Sequence, residues 1–399
     1  MTHNRVNQAP LGNTGTEMDF SCQYSSNLPA VLKAFNVSLA FTSYQTSRLM
    51  LVRTDGERLD VNFKRFPRPM GLAVTDRGLT LGIFTQIVQF QREDGLLQQI
   101  KQPLKRIEED RTAPRLKKDT DEAEEEPLEK AYMEAQHAPV DDRVDRCFIT
   151  RSTHYTGMIN THDIAWGTDG LWVVNSSFSC LSTLDANASF IPRWKPYFIS
   201  RLAPEDRCHL NGMTLKDGKP AFVTTFSTYD QPGRWRDGPG ATGTLMSVAQ
   251  NEILLDGLTM PHSPYWYQGA VYYCNSGLGE ICRYDPATGK NEVLAEVPGF
   301  TRGVDFIGSI MVVGLSRIRQ SHIRKPAPLA KKYDETHSGL WFFNLEDGCE
   351  IGRITFTGNV DQIYDVAVID HCTFPEVIEP SHPRMRNHFT FPALCPETV

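Results

Sequence analysis

Long apolar runs are missing from this chain. No stretch of about 18 apolar residues occurs among its 399, so no transmembrane helix is expected. A basic excess is missing too. There are 41 Lys and Arg against 48 Asp and Glu, a net charge of −7. Nothing supplies a face that tracks phosphates, which argues against a nucleic-acid partner. Paired cysteine spacing is absent. The nine cysteines are scattered and none forms a CxxC, which excludes a disulfide framework or a zinc ribbon and fits a reduced, cytoplasmic setting. The first twenty residues lack a basic segment and an apolar core, so no secretory signal is expected. There is no Gly-rich phosphate loop, GxSxG elbow or HExxH helix, which removes the commonest local signatures of nucleotide, acyl-transfer and metalloprotease chemistry.

What charge there is sits unevenly. Residues 101–145 hold 14 acidic and 9 basic side chains. This stretch, rich in Glu, Lys and Ala, reads as a charged, partly helical insertion between the first and second repeats, either solvated and mobile or a lid over one face. A second irregular stretch, 317–337, carries six Arg or Lys. It is either an anion-binding loop or a plain surface loop.

These two stretches break a repeat. MGLAVTDRGLTLGIFT (70–85), HDIAWGTDGLWVVNSS (162–177), NGMTLKDGKPAFVTTFS (211–227), HSPYWYQGAVYYCNSG (262–277) and RGVDFIGSIMVVGLS (302–316) share one grammar. A small or acidic residue opens a short apolar strand, a tight turn follows, then a second and more apolar strand. Period-2 patterning with β-branched and aromatic residues favours strands. Most units continue with two more strands, and four strands per roughly 40–50 residues is the signature of propeller blades. YDVAVID (364–370) reads as an inner strand with no successor. SLAFTSY (38–44), RLMLVR (48–53) and RLDVNFK (58–64) read as second, third and fourth strands with no first. Joined, they complete a blade and leave no free sheet edge. The expected fold is all-β: a single six-bladed β-propeller over residues 20–399, its closing blade built from 38–64 plus 364–370.

Aligning the units places one residue from each blade at the same height on the channel axis: Met70, His162, Asn211, His262, Arg302 and Tyr364. Five of the six are polar. His209 lies two residues before Asn211, on the same side of an extended strand. Three histidines from consecutive blades would form an open transition-metal site, with zinc first and copper, iron, manganese or calcium as other candidates. If His209 turns away, Asn211 takes the third place and a harder ion is favoured. Arg302 is suited to clamping an anion, and Tyr364 to moving a proton. Arg302 paired with Asp305 or Asp365, and Tyr364 as packing, are the plainer readings. Asn175 and Asn275, thirteen residues after the two ring histidines, and Thr225 near the matching place, are expected either to bind substrate beside Asn211, to orient the histidines, or to cap strand ends. Asp163 and Asp365, next to the ring, are placed to bond neighbouring backbone or a histidine. Cys208 and Cys274 near the mouth read as inert thiols.

THDIAW (161–166), HLNGMT (209–214), MPHSPYW (260–266) and FTRGVDF (300–306) resemble a bacterial family of conserved propeller proteins of unknown function. That resemblance implies a cytosolic propeller and no particular reaction. More distantly, the architecture is similar to gluconolactonase/regucalcin-like and NHL-repeat propellers. The ring of His162, His209, His262, Arg302 and Tyr364 resembles, in residue types, the zinc lyase that splits peptidyl-hydroxyglycine. There, the likeness implies, three histidines hold the metal while Arg and Tyr act on substrate.

These readings converge on a metal-dependent enzyme of lyase or hydrolase type, acting at the channel mouth on a small polar metabolite or a modified amino acid or peptide. The rival is a non-catalytic propeller that binds a peptide or protein partner. The oligomeric state is left open.

Overall fold

The first and last strands of the ring come from opposite ends of the chain. In the computed structural model, which describes residues 2–4, 18–102, 139–237, 240–318, 327–382, 384–385 and 388–391, Val366–Asp370 pairs antiparallel with Val37–Ser43. That strand continues through Arg48–Thr54 to Leu59–Arg65. This closing blade completes a six-bladed propeller. The other inner strands are Leu72–Thr75, Thr161–Gly167, Leu210–Lys216, Pro261–Tyr267 and Phe300–Ile307, heading blades 1 to 5. Gln86–Arg92 and Arg146–Tyr155 are the third and fourth strands of blade 1.

That last pairing corrects the sequence reading of the charged insertion. It interrupts blade 1 between its third and fourth strands; it does not separate blades 1 and 2. The two strands share a long antiparallel register, and the chain leaves and re-enters on the face opposite the starts of the inner strands. Most of the 101–145 segment lies outside the described residues, as does its expected helicity. A fifth strand, Pro375–Ile378, runs parallel to Arg146–Tyr155. Cys22–Tyr24 and Thr2–Asn4 extend blade 5 beyond Glu350–Phe356.

Burial follows position in the blade. Second strands are covered on both faces, so Ala270–Asn275 and Ile310–Ser316 are buried throughout and read as continuous apolar runs. Fourth strands such as Lys290–Glu296 lie outermost and are largely solvent-facing. The core is therefore a set of layers between neighbouring blades. Phe41, Phe342 and Phe356 fill the layer between blade 5 and the closing blade. Val174, Leu181, Leu210 and Met246 fill the one between blades 2 and 3.

Near the axis the blades are joined in two alternating ways. The residue after each ring position is Gly71, Gly212 or Gly303 in blades 1, 3 and 5, and Asp163, Ser263 or Asp365 in blades 2, 4 and the closing blade. Each polar member accepts a backbone N–H from the next blade: Asp163 Oδ2 from Met213 (2.8 Å), Ser263 Oγ from Gly303 (2.9 Å), Asp365 Oδ2 from Leu72 (2.9 Å). At the glycine junctions the backbones come close instead. A Cβ on Gly71 would lie 3.1 Å from the Asp163 backbone, and one on Gly303 2.7 Å from Val366 N. The sequence pattern "small or acidic" thus encodes two ways of closing one ring.

Candidate functional site

Five of the six ring residues meet at the axis. His162, Asn211, His262, Arg302 and Tyr364, with Asp163, Ser263 and Asp365 just below, line a cavity. The space open to the centre of a water molecule is ≈ 10 Å³, room for about one oxygen-sized atom. Met70, the apolar sixth, does not line it. Below it the inner strands enclose a wider funnel of ≈ 290 Å³, and Asp163 and Asp365 border both spaces.

The two ring histidines are held by the same device. The Ser176 hydroxyl donates its only hydrogen to the carbonyl of Leu210, so toward His162 it acts as acceptor, at 2.7 Å from Nδ1. The carbonyl of Asn160 accepts from the same Nδ1 at 2.9 Å. In blade 4, the Ser276 hydroxyl donates to Thr301 O (2.6 Å) and accepts from His262 Nδ1 (2.9 Å). Carbonyls can only accept, so both rings carry the proton on Nδ1. Their Nε2 lone pairs have no hydrogen-bond partner among the described residues. Burial first, then neighbouring imidazoles and the Arg302 charge, holds both rings well below their ordinary pKa, so both are neutral. A serine beside a histidine suggests a nucleophile and its base. Here both serines are fully buried and their hydrogens point to backbone, so they orient the rings.

Neither serine was singled out from the sequence. The signal was there: each follows an Asn and stands 14 residues after its histidine.

His209 is placed differently. Its φ of +52° turns the backbone out of the extended conformation assumed for it. Its Nδ1 donates to Asp206 (2.9 Å), and Arg236 pairs with the same carboxylate. Burial alone would raise Asp206, but His209 and Arg236 outweigh it and hold the group at about 2. The ring meets His162 edge-on at 4.6 Å between centroids and is stacked by Trp235 at 3.9 Å. Phe226 stands between His209 and His262, 4.6 Å from one and 5.0 Å from the other. His209 does not line the axial cavity, and the three histidines do not converge as one ligand set. Among the described residues no three His, Cys, Asp or Glu side chains are grouped to hold a metal ion.

Arg302 stacks on Tyr364, its guanidinium carbon 3.4 Å from the ring centroid. It pairs with neither Asp305 nor Asp365, whose oxygens accept backbone N–H groups of Phe306, Val368, Leu72 and Val366. Burial raises Tyr364, so its hydroxyl stays protonated, and that hydroxyl has no partner. Asn211 Oδ1 accepts from Thr224 Oγ1 (2.7 Å), and its Nδ2 is left without one. Burial lifts Asp163 to about 7, and burial with the Asp163 charge pushes Asp365 well above the carboxylate range.

The outer polar residues are not part of this cavity. Asn175 Oδ1 accepts from Phe178 N, and Asn275 bonds Thr259 N and Glu280. Thr225 bonds Ser227 O and Thr244. All three cap strand ends, the plainer of the sequence readings. Burial pushes the Cys208 and Cys274 thiols up to about 12, which keeps them unreactive.

A family model described as a domain of unknown function, DUF4915, matches residues 26–115 and 126–378. The chain belongs to that family. No curated protein matches it. Among solved structures, the crystal structure of a nidogen/laminin complex is similar over 84% of this chain and 99% of the other, at 10% identity and a TM-score of 0.48. No reaction is attached to the family description. Among the described residues no helix is long and apolar enough to cross a membrane.

Proposed function

We propose that this protein is an enzyme of lyase or hydrolase type that uses a divalent metal ion, zinc first, at the axial ring to act on a small polar metabolite or a modified amino acid or peptide. One observation carries the reading. Two blades repeat the same serine–histidine clasp, and each clasp leaves an Nε2 lone pair on a side chain that lines one cavity. Ligating histidines are characteristically fixed in this way through the other ring nitrogen.

The fit to a metal is strongest at His162 and His262, whose tautomers are set for Nε2 ligation. His209 has a carboxylate on Nδ1, as a ligand would, but packs apart. An ion would therefore be held by His162 and His262, and when bound would supply Lewis-acid polarisation of a substrate oxygen or acidify a water. Arg302 holds charge in any state and orients an anionic substrate group. Tyr364, protonated and unpartnered, is a proton donor at its hydroxyl. The Arg302 charge beside it favours the phenolate that donation leaves.

The test is metal content of the purified chain by plasma mass spectrometry, with His162→Ala and His262→Ala alongside. Near-stoichiometric transition metal, lost in both variants with the fold retained, is expected. Full occupancy in the variants would overturn the assignment. A wild-type chain that neither holds nor takes up zinc, manganese, copper or iron would move the reading to a binding propeller.

A further inference from the structure

We infer that the axial ring is a carboxylate site, in which Arg302, Asn211 and Tyr364 receive the carboxylate of a small organic acid or of a peptide-like substrate. This deepens the proposed function by naming the substrate class, and rests on the same cavity.

The argument is a count of hydrogen-bond roles. Arg302 has no carboxylate within ion-pair distance among the described residues. Asp365, the carboxyl that bears on it, is pushed toward its neutral form by burial and accepts backbone N–H groups through both oxygens. Asn211, 3% exposed, has its oxygen occupied by Thr224 and its amide hydrogens free. Tyr364, 4% exposed, has a hydroxyl with no partner. Buried donors without acceptors are rare in folded proteins, and two of them, Asn211 and Tyr364, line one space here beside the half-buried Arg302 guanidinium. A group that satisfies all three accepts only, and carries negative charge to answer the guanidinium.

Size then selects among anions. The ≈ 10 Å³ space admits one oxygen. A planar carboxylate can put one oxygen there and leave the other beside Arg302. A tetrahedral phosphate brings too many oxygens and too much charge for a single cation. The histidine Nε2 lone pairs are acceptors and repel a carboxylate oxygen, so the anion lies on the donor side of the ring, at Arg302, Asn211 and Tyr364.

The experiment is thermal unfolding of the chelator-treated full chain at constant ionic strength, titrated with acetate, N-acetylglycine or uncharged acetamide. Concentration-dependent stabilisation by the carboxylates and not by acetamide is expected. It should vanish in Arg302→Gln and require about tenfold more ligand in Tyr364→Phe, which keeps the ring under Arg302 and removes one hydrogen bond. A stronger response to acetate points to a free acid, and to N-acetylglycine a peptide-like substrate. Equal stabilisation by acetamide, or acetate binding unchanged in Tyr364→Phe, overturns the inference even if Arg302→Gln fails to fold. Zinc uptake is read on the same preparations. Carboxylate binding without metal uptake sinks the enzyme reading alone, and metal uptake without carboxylate binding sinks this inference alone.

Discussion

Blades 2 and 4 differ from blade 5 in what the ring residue does with one shared serine. All three carry, at the end of the second strand or one residue beyond it, a serine whose hydroxyl donates to the carbonyl just ahead of the next blade's ring residue. Ser176 reaches Leu210, Ser276 reaches Thr301 and Ser316 reaches Ile363. In blade 5 the serine oxygen accepts in return from the Ile363 N–H at 2.9 Å, and both of its roles stay within the scaffold. In blades 2 and 4 the accepting role goes to a histidine Nδ1. The serine is thus first a tie between blades. Where the ring residue is His, the same tie sets a tautomer, and where it is Arg302 it does not.

Acidity should separate the two kinds of blade most. An unfolded imidazole takes a proton near pH 6.5, while burial and Arg302 keep His162 and His262 neutral when folded. At these two groups the unfolded state then binds more protons, so their contribution to stability is full above about 6.5 and falls as pH drops, by about 2.7 kcal/mol per pH unit for the pair. The raised carboxyls of Asp163 and Asp365 take up protons in the folded state over the same range and act with the opposite sign. The histidine contribution is read by denaturant unfolding of metal-free protein between pH 7 and 5. The His162→Gln/His262→Gln variant should lose most of it, and Ser316→Ala should keep it. A slope unchanged in the double histidine variant would mean the ring does not titrate as described.

The serines come next. Ser176→Ala or Ser276→Ala should weaken metal affinity by about 10–100-fold, the usual cost of losing an outer partner of a ligand. Ser316→Ala should leave affinity unchanged, which isothermal titration with zinc can compare directly. The smallest effect is the shared one: each of the three changes should cost about 1 kcal/mol of stability through the lost inter-blade bond. Equal loss of metal affinity in all three would erase the distinction between the blades.

The ring was legible in the sequence because a propeller writes its axis at a fixed offset in every repeat. Alignment alone brought His162, Asn211, His262, Arg302 and Tyr364 together. Residues that act across blades were harder to read. Ser176 and Ser276 work by reaching a neighbour's carbonyl, and a hydroxyl at a strand end looks like any turn residue until the partner strand is placed. Asn175 and Asn275, one position earlier, drew attention because amides look chemical, yet they hold turns. His209 was read as extended, and its positive φ, which few non-glycine residues adopt, carries no mark in the sequence. The outer half of blade 1 was hidden because the charged insertion separates two strands that pair closely. The strand Pro375–Ile378 is short and lies in a Pro-rich stretch, and its parallel partner is more than two hundred residues away.

The most direct test of the account is the protonation pattern of the two clasped histidines. Long-range proton–nitrogen NMR on metal-free protein labelled at histidine, with His162→Gln and His262→Gln used for assignment, reads it at pH 7. The account predicts both rings neutral, protonated on Nδ1, with both Nε2 resonances shifting together when zinc is added. Protonation on Nε2 in either ring, or a zinc titration that moves neither, would contradict it.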